Sequence, residues 1–242
     1  MFTSTRGIVF RKTRYSETSL VVRIFTEQLG LRSYMVKGAR GPKSKLKASL
    51  FQPLTLLELT VTDKEKGELH HIREARVAYH YKTIPGDLVK SSLLLFLDEL
   101  LYKSIREESA NEELFRFIFD KLLLLDRLES HLAHFHLLFT VQLTHFLGFF
   151  PQERYINEST VFDLQEGQFT SVLPLYQHNL VRGASCRYLS ELVNTSFERL
   201  DVLKAPISVR NDVLESLLAY YMLHLPIPGE FRSHKVLHDL FR

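Results

Sequence analysis

The residues in this chain best equipped for chemistry are cations. From Lys37 to Lys47 the sequence reads Lys-Gly-Ala-Arg-Gly-Pro-Lys-Ser-Lys-Leu-Lys, so Lys37, Arg40, Lys43, Lys45 and Lys47 fall within eleven residues that include no acid. Gly38, Gly41 and Pro42 break any regular element through them. A positively charged loop between ordered segments suits the phosphates of a polyanion such as a nucleic-acid backbone. The plainer reading is a solvated charge run. Arg11, Lys12, Arg14 and Arg23 add four cations upstream.

Other chemistries fit less well. Gly38…Gly41-Pro42-Lys43-Ser44 has the wrong spacing for a phosphate-cradling P-loop, and Pro42 removes an amide the cradle needs. His131 and His134 can share a helix face, but His136 points away from His134, so these read as polar-face histidines and no metal is expected. In a strand, His70 and His71 point to opposite faces. Cys186 is single and reads as a buried, inert thiol. No nucleophile elbow, HExxH or paired-carboxylate motif is present, so no enzyme activity and no cofactor are expected.

The formal net charge of +3 conceals a division. Residues 1–82 sum to +9 and residues 83–242 to −6, and the first 47 residues already hold eleven Lys/Arg against Glu17 and Glu27. Such asymmetry points to a nucleic-acid or membrane surface in the basic part. Membrane insertion is disfavoured, because the most apolar run, Leu93–Leu101, contains Asp98 and Glu99. The N-terminus lacks the apolar core of a signal peptide, and a single cysteine forms no internal disulfide. Together these features point to a reducing, cytoplasmic location.

The first eighty residues must position the cations, and they read as strands: Gly7–Lys12, Leu20–Thr26, Leu31–Lys37, Leu54–Thr62 opened by Pro53, and Glu68–Ala78. Gly30 turns a hairpin, Asp63–Gly67 turns another, and a helical turn is expected around Lys45–Phe51. Five strands with a longer excursion after the third fit an OB-fold barrel, which binds oligonucleotides across one face. Phe10, Tyr15, Phe25, Tyr34 and Phe51 divide between its core and possible base-stacking positions.

After Pro85 the pattern becomes helical: Asp87–Ile105, Asn111–Asp126 capped by Asn111, Arg127–Phe146, Ala184–Asn194, Ser208–Leu225 and Lys235–Phe241. Val161–Leu164 and Gln168–Val172, either side of Gln165-Glu166-Gly167, form a small hairpin. The expected class is α+β: a five-stranded OB-fold domain over 1–82, then a mainly helical domain over 83–242 with a hairpin at about 160–173.

Gly7-Ile-Val-Phe-Arg, Tyr15-Ser-Glu-Thr-Ser-Leu-Val-Val, Phe25-Thr-Glu-Gln-Leu-Gly-Leu, Val36-Lys-Gly-Ala-Arg-Gly-Pro-Lys-Ser and Leu50-Phe-Gln-Pro-Leu, in that order, resemble the bacterial RecO family of recombination mediators. Phe146-Leu-Gly-Phe-Phe-Pro and Ser233-His-Lys-Val-Leu extend the resemblance more weakly. It implies an OB-fold and a helical domain, binding of single- and double-stranded DNA, and annealing of complementary strands. It also implies work with RecR in loading RecA onto strands coated by single-stranded-DNA-binding protein (SSB), whose acidic tail the family docks. Many relatives carry a four-cysteine zinc site after the Gly-Phe-x-Pro segment. Gln152–Leu173 contains no Cys, so no metal is expected and the hairpin must hold by packing.

The resulting expectation is a DNA-binding surface of Arg11, Lys12, Arg14, Arg23, Lys37, Arg40, Lys43, Lys45 and Lys47, indifferent to sequence because it grips phosphates. Arg116, Lys121 and Arg127 are candidates for the SSB tail. The competing readings are an RNA-binding OB module, a structural adaptor whose basic loop meets an acidic protein, and a hydrolase with dispersed catalytic groups.

Overall fold

A computed structural model describes residues 2–39, 41, 46–62, 69–106, 108–175 and 178–241. The turn expected at Asp63–Gly67 lies outside the described residues. Five strands, β1 (Phe2–Arg14), β2 (Leu20–Thr26), β3 (Gly30–Val36), β4 (Leu56–Thr62) and β5 (His70–Tyr79), close into a barrel in the order β1-β2-β3-β5-β4. The α+β class and the OB-like barrel are as the sequence predicts.

β1 is long enough to close the sheet on itself. Its first half pairs with β4 (Phe2↔Thr62 to Ile8↔Leu56) and its second half with β2 (Gly7↔Thr26 to Arg14↔Leu20). Only β3 and β5 run parallel, at Tyr34↔His70 and Met35↔His71. The barrel is filled by Val9, Val22, Ile24, Tyr34, Val36, Phe51, Leu57, Leu59 and Val61, all buried. Gly7 faces this core, where a Cβ would come within 2.7 Å of both Ile24 and Leu59. Leu54 takes a left-handed φ of 56°, so the chain turns at 53–55 and β4 starts two residues later than Pro53 suggests.

The chain divides into two compact units, Met1–Gly86 with Ile105–Arg127, and Asp87–Ser104 with Leu128–Arg242. The division differs from a single cut after residue 82: the helix Glu112–Arg127 belongs with the barrel. Its apolar face explains why. Phe115 packs on Phe25 at 5.9 Å, and the Arg6 guanidinium lies 4.7 Å over the Phe119 ring. At its far end the buried Asp126 carboxylate accepts the backbone N–H groups of Lys82, Thr83 and Ile84 and the Tyr79 hydroxyl. Burial by itself would raise that carboxyl; these donors outweigh burial and hold it far below the ordinary carboxylate range. Gly30, at φ 69°, lets the backbone of Glu108 and Ser109 pass where a Cβ would stand.

The second unit contains α1 (Leu88–Ser104), α3 (Leu132–Leu147), α4 (Gly183–Val193), α5 (Ile207–His224) and α6 (His234–Leu240), with the helix Glu112–Arg127 counted as α2. β6 (Val161–Asp163) and β7 (Gln168–Thr170) form the expected hairpin, and β8 (Leu180–Val181) joins β6 as a third strand. Phe162 packs on Phe169 at 4.8 Å and on Tyr220 at 5.4 Å, so aromatic contacts hold this sheet. His134 and His136 are core residues and not polar-face ones. His134 Nδ1 lies 2.6 Å from the Tyr188 hydroxyl, and the His136 ring stacks on Phe241.

Candidate nucleic-acid interface

Strand alternation makes register the decisive fact for the cations, because neighbours along a strand face opposite ways and register partners face the same way. Arg11 is the partner of Arg23, which is in turn the partner of Ser33. The next row is Thr13, Val21 and Met35. Val22, Ile24, Tyr34 and Val36 occupy the alternate positions and fill the core, so Arg11 and Arg23 lie on the outer wall. Lys37 continues the outward alternation of Ser33 and Met35 and is exposed.

A β-bulge sets this arrangement. The β1–β2 register slips between Val9 and Arg11. Before it, the odd residues Gly7 and Val9 face the core; after it, Arg11 and Thr13 face out. An unbulged strand would have aimed Arg11 inward. Phe10, at the bulge, is buried against Phe25 at 5.8 Å, beneath the part of the wall that α2 covers. The wall is thus covered by α2 at Phe25, and Arg11, further along, is exposed.

The remaining predicted cations fall elsewhere. Lys12 and Arg14 have the inward parity at the barrel rim, where Lys12 Nζ donates to Gln52 Oε1 (2.8 Å) and Arg14 Nε to the Ser16 carbonyl (3.4 Å). Gln52 follows the short 3-10 turn Ala48–Phe51, whose Phe51 plugs the barrel. Lys47 is exposed just before that turn. Arg40, Lys43 and Lys45 lie outside the described residues. The structure therefore joins Arg11, Arg23 and Lys37 on one wall and places Lys12, Arg14 and Lys47 at the adjoining rim.

A second wall of the same barrel carries charge of both signs. Arg6, Glu58 and Arg76 are successive register partners across β1, β4 and β5. Arg6 Nη2 donates to Glu27 Oε1 (2.6 Å), and Arg76 Nε to Glu58 Oε2 (2.6 Å). The hydrogen bond to Arg6 holds the Glu27 carboxyl below its ordinary value. With Ser4, Thr60 and Glu74 these residues line a groove of about 640 Å³.

Of the aromatic candidates, Phe10, Phe25, Tyr34 and Phe51 are buried and only Tyr15 is exposed. Arg116, Lys121 and Arg127 sit on α2, in the barrel's unit and not in the helical one. Arg116 pairs with Glu112 Oε2 at 3.0 Å, and the Arg127 guanidinium lies 5.9 Å from the Tyr79 ring. Arg116 and Arg127 fall on one side of the helix, with Lys121 turned about 140° from Arg116. Among the described residues no group of three or more His, Cys, Asp or Glu is placed to hold a metal ion, and no helix is long and apolar enough to cross a membrane. Burial pushes the Cys186 thiol up to about 12, against the opposing effect of a backbone hydrogen bond from Phe162.

Residues 1–81 match the family model "Recombination protein O N terminal", and residues 85–157 match "Recombination protein O C terminal". The chain is 34% identical over 241 residues to DNA repair protein RecO of Phocaeicola vulgatus and 35% identical over 244 residues to that of Christiangramia forsetii, each alignment covering both chains in full. DNA repair protein RecO of Flavobacterium psychrophilum is 33% identical over 238 residues, covering 98% of each chain.

Proposed function

The chain belongs to the RecO family of DNA repair and recombination proteins, and from that premise we propose that it binds single- and double-stranded DNA through the outer wall of its barrel. The observation carrying this reading is the Arg11–Arg23 register pair. Two guanidiniums in register raise the positive potential of one patch of wall, and a phosphate backbone laid across them releases its counterions. Lys37 lies further along the same wall, level with Ser19. Lys12, Arg14 and Lys47 at the rim, with Arg40, Lys43 and Lys45 of the basic loop, provide further phosphate contacts. Such contacts read no base, so binding is largely independent of sequence.

Two strands held on one cationic surface repel each other less, which favours annealing of complements. In the family setting this activity serves RecA loading onto SSB-coated strands together with RecR. The acidic SSB tail would meet Arg116, Lys121 and Arg127 of α2. No bond is made or broken in any of these steps, so the protein acts as a mediator and not as an enzyme.

Strand annealing followed by fluorescence tests this reading. Arg11→Glu with Arg23→Glu is expected to slow annealing and to weaken binding of both single strands and duplexes. Unchanged DNA binding by that variant would favour an adaptor that meets acidic proteins. Stronger capture of RNA than of DNA of the same sequence would favour an RNA-binding module.

A further inference from the structure

Tyr15 stands apart from the other aromatic residues of the barrel sheet. It is 65% exposed, whereas Phe10, Phe25, Tyr34 and Phe51 are at most 1% exposed. Phe2, on β1, is also exposed, but the Arg73 guanidinium lies 4.6 Å over its face. Among the described residues no ring or cation lies against Tyr15.

Its position is fixed. The Tyr15 N–H donates to the Ser19 carbonyl at 3.0 Å, extending the β1–β2 ladder one row beyond Arg14↔Leu20. The turn is closed by Ser16 N–H to the Ser19 carbonyl (3.2 Å) and by Ser19 N–H to Ser16 Oγ (3.1 Å). Tyr15 therefore continues the outward series Arg11, Thr13, Tyr15, about 13 Å along the strand from Arg11. The same alternation on β3 brings Lys37 level with Ser19 in that last row. One wall thus presents two arginines at one end, and a tyrosine whose backbone is tied into the ladder, with a lysine, at the other. An oligonucleotide of a few nucleotides spans that distance, within the range of site sizes on OB-folds.

We propose that Tyr15 is the base-stacking platform of this wall: it takes one unpaired base on its ring while Arg11, Arg23 and Lys37 hold the flanking phosphates. The inference rests on the DNA-binding reading above and adds the basis for a preference for single strands. A paired base inside a duplex keeps both of its faces stacked, so only a single strand can use the ring. Stacking is tolerant of sequence because every base has a π-face.

The test compares an oligo-dT strand, an abasic strand of equal length and a duplex, measured by fluorescence anisotropy on the full chain at several salt concentrations. Wild type is expected to bind oligo-dT about tenfold more tightly than the abasic strand. Tyr15→Ala is expected to remove that advantage while leaving abasic binding, duplex binding and the salt slope unchanged, and Tyr15→Phe is expected to retain it. A Tyr15→Ala variant that keeps the full preference for oligo-dT, or that weakens all three ligands equally, overturns the stacking assignment and leaves the cationic wall standing. Wild type that binds none of the three overturns the DNA-binding reading, and this inference with it.

Discussion

On the β1–β4–β5 wall two guanidiniums have carboxylates: Arg6 with Glu27, and Arg76 with Glu58. On the β1–β2–β3 wall the residue directly across from Arg11 is Arg23, and no acid occupies the rows that follow. Both walls belong to one small barrel and share β1. The first pairs opposite charges and contributes to the fold. The second sets two cations in register, which suits a ligand of the opposite sign. Cations on a protein surface therefore say little by number alone, and their register partners say more.

Substitutions can separate charges that serve the fold from charges that serve binding. The largest effect is expected at Asp126, which serves the fold. Asp126→Ala leaves several buried donors without an acceptor and should cost about 3 kcal/mol or more in chemical denaturation. It should leave the salt dependence of DNA binding unchanged where the variant is folded. On the single-signed wall, Arg11→Ala with Arg23→Ala should weaken single-strand binding roughly 10–30-fold near 0.1 M salt with little change in stability. Arg23→Glu alone sharpens the contrast further. It sets a carboxylate in register with Arg11 and removes a phosphate contact, so single-strand binding should fall further than in Arg23→Ala. The smallest effect is expected on the mixed wall. Arg76→Ala should change DNA affinity less than twofold and stability by about 1 kcal/mol at most, since that pair is solvent-exposed.

Acid should separate the two units in the same spirit. Burial lowers His134 to about 4 and His136 to about 3, so both are neutral in the folded chain. Below pH 6.5 the unfolded chain takes up protons that the folded one refuses, and stability falls with pH from there downward. Glu99, which burial would raise, is brought to about 2 by hydrogen bonds from Ser233, Arg232 and Lys103. Its contribution is complete above pH 4.5 and is lost as pH falls toward 2. Asp126 is depressed further, so its contribution is present above its ordinary 3.8 and lost only in stronger acid. Hydrogen-exchange protection factors at pH 7, 5.5 and 4 should therefore drop first in the helical unit. Earlier loss in the barrel would contradict this ordering.

The sequence was most legible where chemistry is local. The β-branched run Leu20–Thr26 marks its strand to the residue, Gly30 marks its turn by taking positive φ, and Asn111 Oδ1 caps α2 by accepting the Leu114 N–H at 3.0 Å. Less legible were features set by distant partners. Thr3, Ser4 and Thr5 extend β1 only because β4 pairs with them. α2 joins the barrel because of Asp126 and two phenylalanines, and nothing in its own periodicity names a partner. β8 is two residues long, too short to show alternation. The candidate site divides the same way. The types of Arg11, Arg23 and Lys37 were readable as a phosphate-binding set, whereas their shared face depends on the bulge at Phe10, which also sends Lys12 and Arg14 to the rim.

The salt dependence of binding to a labelled single strand, measured side by side for wild type and the Arg11→Ala, Arg23→Ala double variant, tests the central claim most directly. Loss of two phosphate contacts should make the slope of log K against log salt shallower by about 1.4. An unchanged slope, with wild type binding tightly, would mean that the phosphates lie elsewhere on the molecule.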